Sequence, residues 1–243
     1  MNYYFFILES LHFTKKTFFV DRIRSIIFLL LGMAGGIVSL HYNAVPHMEN
    51  FRICWQVMYS WWIWFGLLVL WLLISTVIAG YMIRIFRDPV HPPSFDNVKK
   101  LIHEGIIAEI LIAVWAVPAL IWMFTFSSPL VLIVLLVFLI LMFPASLFLF
   151  ATTGDFRESL RISNILSAIQ NPGWGVYLAA WGIAFLCFLL VMVVTGIFWF
   201  ALTLFPLVPA LLISLVKYGI FGYATLLFNI FFARFFATVL RNG

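Results

Sequence analysis

Apolar runs of about twenty residues recur along almost the whole chain, separated by short polar breaks. A run of that length crosses a hydrocarbon core of about 30 Å. The pattern predicts six transmembrane helices, over about 25–40, 53–84, 106–126, 129–150, 175–205 and 207–233. The first is short and holds Gly32, Gly35 and Gly36. The second is about 46 Å long at about 1.5 Å per residue, so it must tilt or protrude. Trp55, Trp61, Trp62 and Trp64 at its start suit an interfacial aromatic belt. Pro118 and Pro144 interrupt the third and fourth runs, and Pro206 separates the last two.

Some of the polar stretches carry a helical period of their own. Phe95, Val98, Leu101, Ile102 and Ile106 fall on one face, and Asp96, Asn97, Lys99, Lys100, His103 and Glu104 on the other. This predicts an amphipathic helix over 94–104, capped by Ser94 and barred from starting earlier by Pro92 and Pro93. Over 155–170, Phe156, Ile162, Leu166 and Ile169 oppose Arg157, Glu158, Arg161 and Asn164, and Asn171-Pro172-Gly173 ends the segment. Residues 2–19 repeat the pattern less cleanly. Each amphipathic helix precedes two spans, which makes three units alike in pattern but not in residues. The expected fold is a single all-α integral membrane domain over 1–243.

Composition strengthens this reading. The chain is 65% hydrophobic and 9% charged, against about 45–50% and about 25% for an ordinary soluble domain. Its mean hydropathy is +1.14. A soluble fold of this length has too little interior to hide so much apolar surface. The net charge of +5 does not point to nucleic acid, because the basic residues sit at span ends. Of the fourteen Lys and Arg, twelve fall on one side: four before residue 25, four over 84–104, two over 151–172 and two at the C-terminal end. Arg52 stands alone on the other side, and Lys217 lies inside the sixth run. The asymmetry predicts a multi-pass protein of the cell membrane with both termini cytoplasmic. No cleavable signal is expected, since the first apolar run leads straight into further spans. Cys54 and Cys187 both lie in apolar runs and make neither a disulfide framework nor a metal site.

Candidate chemistry is sparse. Lys217 carries a charge within an apolar run, which suits a substrate, an ion or a partner across the bundle, with Glu109 as that partner. Alternatively, the sixth span starts later and Lys217 sits at the outer surface. Arg84, Arg87, Lys99 and Lys100 either contact lipid headgroups or a partner, or simply anchor the cytoplasmic side. Glu104 and Glu109 are five residues apart and do not share a helix face. His103-Glu104 lacks the second histidine of a zinc motif, since Ile107 stands there. His41, His47 and Glu49 have no standard metal spacing. No catalytic group, cofactor or metal is expected.

The run Gly80-Tyr81-Met82-Ile83-Arg84 is followed by Pro92-Pro93, by Phe95-Asp96-Asn97, and by Ile102-His103-Glu104-Gly105 before a span containing Pro118. These motifs resemble a mainly archaeal family of membrane proteins, catalogued as domain of unknown function 4013. Arg161 and the stretch from Asn171-Pro172 to Tyr177 are similar to it too. Glu104 stands where the family usually has Asp. The resemblance implies a polytopic membrane protein and adds almost nothing about chemistry. Three functions stay open. The first is a non-enzymatic scaffold or accessory subunit, in contact with the lipid bilayer and with other membrane subunits or copies of itself. The second is a small permease or lipid-handling protein. The third and weakest is an intramembrane lipid enzyme.

Overall fold

The computed structural model describes residues 3–19, 25–33, 53–125, 128–204 and 210–241. Among these the chain is helical, with no strand. In order, the helices are α1 (Tyr3–Phe19), α2 (25–33), α3 (Ile53–Arg87), α4 (Val98–Thr125), α5 (Pro129–Thr153), α6 (Phe156–Leu160), α7 (Ile162–Gln170), α8 (Trp174–Thr203) and α9 (Ala210–Arg241). Among the described residues, five stretches are long and apolar enough to cross a membrane: Leu68–Arg87, Val98–Thr125, Pro129–Thr153, Trp174–Leu202 and Val216–Arg241. The chain is an integral, multi-pass, all-helical membrane protein. The second half of the first expected span lies outside the described residues, as do Gly35, Gly36, His41, His47, Glu49 and Pro206.

Three boundaries differ from expectation. The segment 94–104 is not a separate helix. Residues 88–97 are irregular, and α4 then runs unbroken from Val98 into the span. Asn97, and not Ser94, starts it. Its backbone takes φ 55, and its Oδ1 accepts the Lys100 N–H at 3.2 Å. The buried face of α4 also turns: Leu101, Glu104, Gly105, Ala108 and Leu111 point inward, while Val98 and Ile106 are exposed. The segment 155–170 is two helices. Arg161 is extended (ψ 115), so its carbonyl caps α7 by accepting the N–H of Asn164 at 3.0 Å and of Ile165 at 3.1 Å. The break leaves Ile162 exposed and centres the buried face on Ile165, Ala168 and Ile169. Finally, α9 continues to Arg241, so Arg234 lies within a helix and is not part of a polar tail.

The chain divides into two compact units. One comprises Met1–Lys16, Thr76–Phe185 and Asn229–Gly243, and the other Thr17–Ser75 and Leu186–Phe228. The second unit packs through aromatic contacts: Phe18 lies 4.7 Å from Phe28 and 5.5 Å from Tyr223 between ring centroids. Trp199 stacks edge-on to Tyr218, and its Nε1 donates to the Lys217 carbonyl at 2.9 Å.

In the first unit, one end gathers α1, the last turns of α3, α5 and α9, and the first turns of α4 and α8. Phe86, Tyr177, Phe235 and Phe236 are fully buried there. α5 ends where Gly154 takes φ 71 and donates its N–H to the Phe150 carbonyl. Pro144 removes an intrahelical donor from α5. Three residues before it, the Leu141 carbonyl accepts from the Tyr177 hydroxyl at 2.6 Å. Ser146, fully buried, accepts from Trp115 Nε1 at 3.2 Å and donates to the Ser159 carbonyl at 2.7 Å.

Two glycines set the spacing of α3 and α4. A Cβ on Gly80 would meet the Leu101 carbonyl carbon at 3.1 Å, and one on Gly105 would meet the Thr76 carbonyl carbon at 2.8 Å. Both clashes are with backbone, so a methyl group forces the helices apart. Small residues allow this kind of close approach between spans. Gly80→Ala and Gly105→Ala are each expected to destabilise the protein by about 1–3 kcal/mol, read as a lower thermal midpoint in detergent. Gly182→Ala on α8, where a Cβ meets nothing within 4 Å, is expected to leave the midpoint unchanged.

Candidate functional site

The close approach of α3 and α4 brings three charged side chains together. Glu104 is buried, at 4% exposure, on a helix that continues into the membrane. A lone carboxylate there is costly. Arg84 and Arg87 lie one turn apart near the end of α3 and both reach it. Arg87 Nη1 donates to Glu104 Oε1 at 2.6 Å, and Arg84 Nε to Oε2 at 3.4 Å. Each carboxylate oxygen therefore has its own guanidinium.

The remaining arginine donors organise the chain around them. Arg84 donates to the carbonyls of Ser94 at 2.7 Å, Asp96 at 2.8 Å and Asn97 at 3.1 Å. These bonds pin the irregular segment before α4. Tyr81, one turn earlier on α3, donates to the Pro93 carbonyl at 3.2 Å and stacks on Phe95 at 5.2 Å. Arg87 Nε donates to the Ala151 carbonyl at the end of α5 at 3.1 Å. The Arg87 carbonyl in turn accepts from Arg241 at the end of α9. One arginine thus ties four helix ends together.

Among the described residues one arginine is buried outright, and the sequence pattern does not single it out. Arg234 on α9 is 4% exposed and donates to Glu9 Oε1 of α1 at 2.6 Å. It also donates to the Thr238 hydroxyl and lies 5.4 Å from the centroid of the Phe13 ring. Its Nε has no hydrogen-bond partner among the described residues. The available signal was its place among Phe231, Phe232, Phe235 and Phe236, an apolar setting for a residue assigned to a tail.

The other expected site residues do not join these clusters. Lys99 and Lys100 are exposed in the first turn of α4. Glu109 is half-buried on α4 in the first unit. Lys217 is half-buried on α9 in the second unit, so neither unit contains the expected pair by itself. Lys217 lies one residue inside its apolar stretch and seven from the start of α9. Among the described residues, no three His, Cys, Asp or Glu come close enough to hold a metal ion.

Beyond the end of α3, Asp88 accepts the N–H of Val90 at 3.0 Å and lies 3.2 Å from His91 Nδ1. Partial burial pushes its carboxyl up, but the Val90 and His91 N–H groups and the His91 ring outweigh this and hold it below the usual carboxylate range.

Glu104→Ala leaves the largely covered Arg84 and the part-exposed Arg87 without their anion, an expected loss of about 1–3 kcal/mol. Arg87→Met is expected to cost less, because Arg84 still faces the carboxylate; thermal midpoints of the two variants check the order. Asp88, with its lowered native value, stabilises the folded turn above about pH 4, and that contribution fades as the pH falls through the native value. The midpoints of the natural chain and of Asp88→Asn are therefore expected to converge below about pH 4 and to separate above it.

The stretch that contains Gly80, Tyr81, Arg84, Glu104 and Gly105 coincides with a family match. Residues 63–200, more than half of the chain, match the family described as Protein of unknown function (DUF4013). No curated protein and no solved structure matches the chain. The glycine, arginine and acidic positions of the resemblance are those that meet at the α3–α4 crossing, and the chain belongs to the domain of unknown function 4013 family.

Proposed function

We propose that this protein is a non-enzymatic scaffold or accessory subunit of a membrane assembly, with six spans and both termini in the cytoplasm at the cell membrane. The observation that carries the reading is the closure of the Arg84–Arg87–Glu104 cluster. Its charges are used in joining helix ends. Meanwhile α4, α5 and α8 present broad apolar faces, including Ile121, Val134, Leu186, Leu190 and Phe200. Such faces suit lipid and other spans.

The contacts within the first unit support the sixth span. α1 meets α9 near its C-terminal end, and that end meets the end of α3. α3 is about 52 Å long at about 1.5 Å per residue, so its start belongs at the opposite membrane surface. The apolar run over 25–40 supplies a crossing of its own before α3. The Lys and Arg asymmetry supports the cytoplasmic assignment.

A permease or lipid-handling role is the second reading, favoured by the half-buried Lys217 within an apolar stretch. Native mass spectrometry of the protein, extracted in mild detergent from cells expressing it at natural level, separates the two. A reproducible protein partner that survives Lys217→Ala is the expected result. A lone chain holding a small molecule that Lys217→Ala releases overturns the scaffold reading. For the topology, an impermeant thiol reagent on intact cells is expected to label His47→Cys and not His91→Cys, in a background with both natural cysteines replaced. Labelling of His91→Cys would reverse the orientation.

A further inference from the structure

α1 is apolar on two sides. Inward, Phe13 and Phe18 are buried together with Ser10 and Thr14, and the Thr14 hydroxyl donates to the Ser10 carbonyl at 2.8 Å. Outward, the face is apolar apart from His12. Tyr4, Phe5, Leu8 and Leu11 are between 46% and 70% exposed, and their spacing places them on one side of the helix. The same side continues into Lys15 and Lys16, which are exposed in the last part of the helix. An apolar face this large is not left against water without a partner.

Position along the bundle says which partner. Glu9 is held by Arg234, seven residues before Arg241 and so about 10 Å along α9 from its end. An interfacial helix sinks its apolar face about 5–10 Å into the boundary between headgroups and acyl chains. Arg234 lies inside the apolar stretch Val216–Arg241, so Glu9 holds α1 alongside the end of a span, a place that suits a helix at that boundary. The charge matches too, since basic residues at the rim of an apolar face attract anionic headgroups.

We propose that the outer face of α1 is a lipid-binding surface. Tyr4, Phe5, Leu8 and Leu11 enter the acyl boundary of one leaflet, and Lys15 and Lys16 take the headgroups of anionic phospholipid. The Glu9–Arg234 pair fixes the helix so that this face turns outward. This holds for a scaffold or a permease alike, and for either compartment at the termini.

The test uses the full chain in nanodiscs of phosphatidylcholine with or without phosphatidylglycerol, with Cys54 and Cys187 replaced by Ser. A nitroxide on Leu8→Cys is expected to be relaxed more by oxygen, which concentrates in lipid, than by a water-soluble nickel chelate. Stronger relaxation by the chelate overturns the proposal. So does an immobilised label shielded from both, which would mean that a second copy or another protein covers the face. Lys15→Gln with Lys16→Gln is expected to lower retention of phosphatidylglycerol relative to phosphatidylcholine at least about fivefold in native mass spectrometry. An unchanged ratio removes the headgroup part of the proposal. Both lysines are exposed, so neither change disturbs packing.

Discussion

A carboxylate turned inward on a helix bound for the bilayer has to be met by positive charge from a neighbour, and most of the cluster-bearing end depends on how Glu104 is met. The two guanidinium groups that reach it come from consecutive turns of α3, which fixes the register of α3 against α4. That register is possible only because Gly80 and Gly105 let backbone approach backbone. The donors left over then hold the segment before α4 and the ends of α5 and α9.

Lipid explains why polar contacts carry this weight. Acyl chains solvate leucine and phenylalanine as well as a protein core does, so apolar burial alone does little to bring spans together. Close backbone contact and hydrogen bonds have to supply the specificity. The described bonds follow suit: Trp115 to Ser146, Ser146 to the Ser159 carbonyl and Trp199 to the Lys217 carbonyl each join one helix to another.

The membrane class and the placement of most spans were legible because length and apolarity are coarse signals that tertiary contacts do not disturb. Finer features failed for physical reasons. A polar-outward rule placed Glu104 on the solvated face of α4, whereas the arginines that neutralise it are seventeen and twenty residues away and invisible to a local period. The helix over 155–170 looked continuous because Arg161 has no helix-breaking chemistry; its extended backbone is stabilised by the caps on either side. Arg234 was assigned to the tail because a charge was taken to end the span, yet its counterion lies 225 residues earlier. The Gly80–Arg84 and Glu104–Gly105 motifs did mark the place where the cluster forms, although their pairing was not readable from either motif alone.

The Tyr177 hydroxyl of α8 donates to the Leu141 carbonyl of α5, three residues before Pro144. A phenol on one helix thus answers a main-chain acceptor of another. The acceptor is main chain, so it is present whatever side chain stands at 141. The fastening of α8 to α5 at this point is therefore indifferent to substitution on one helix and rests wholly on the tyrosine of the other.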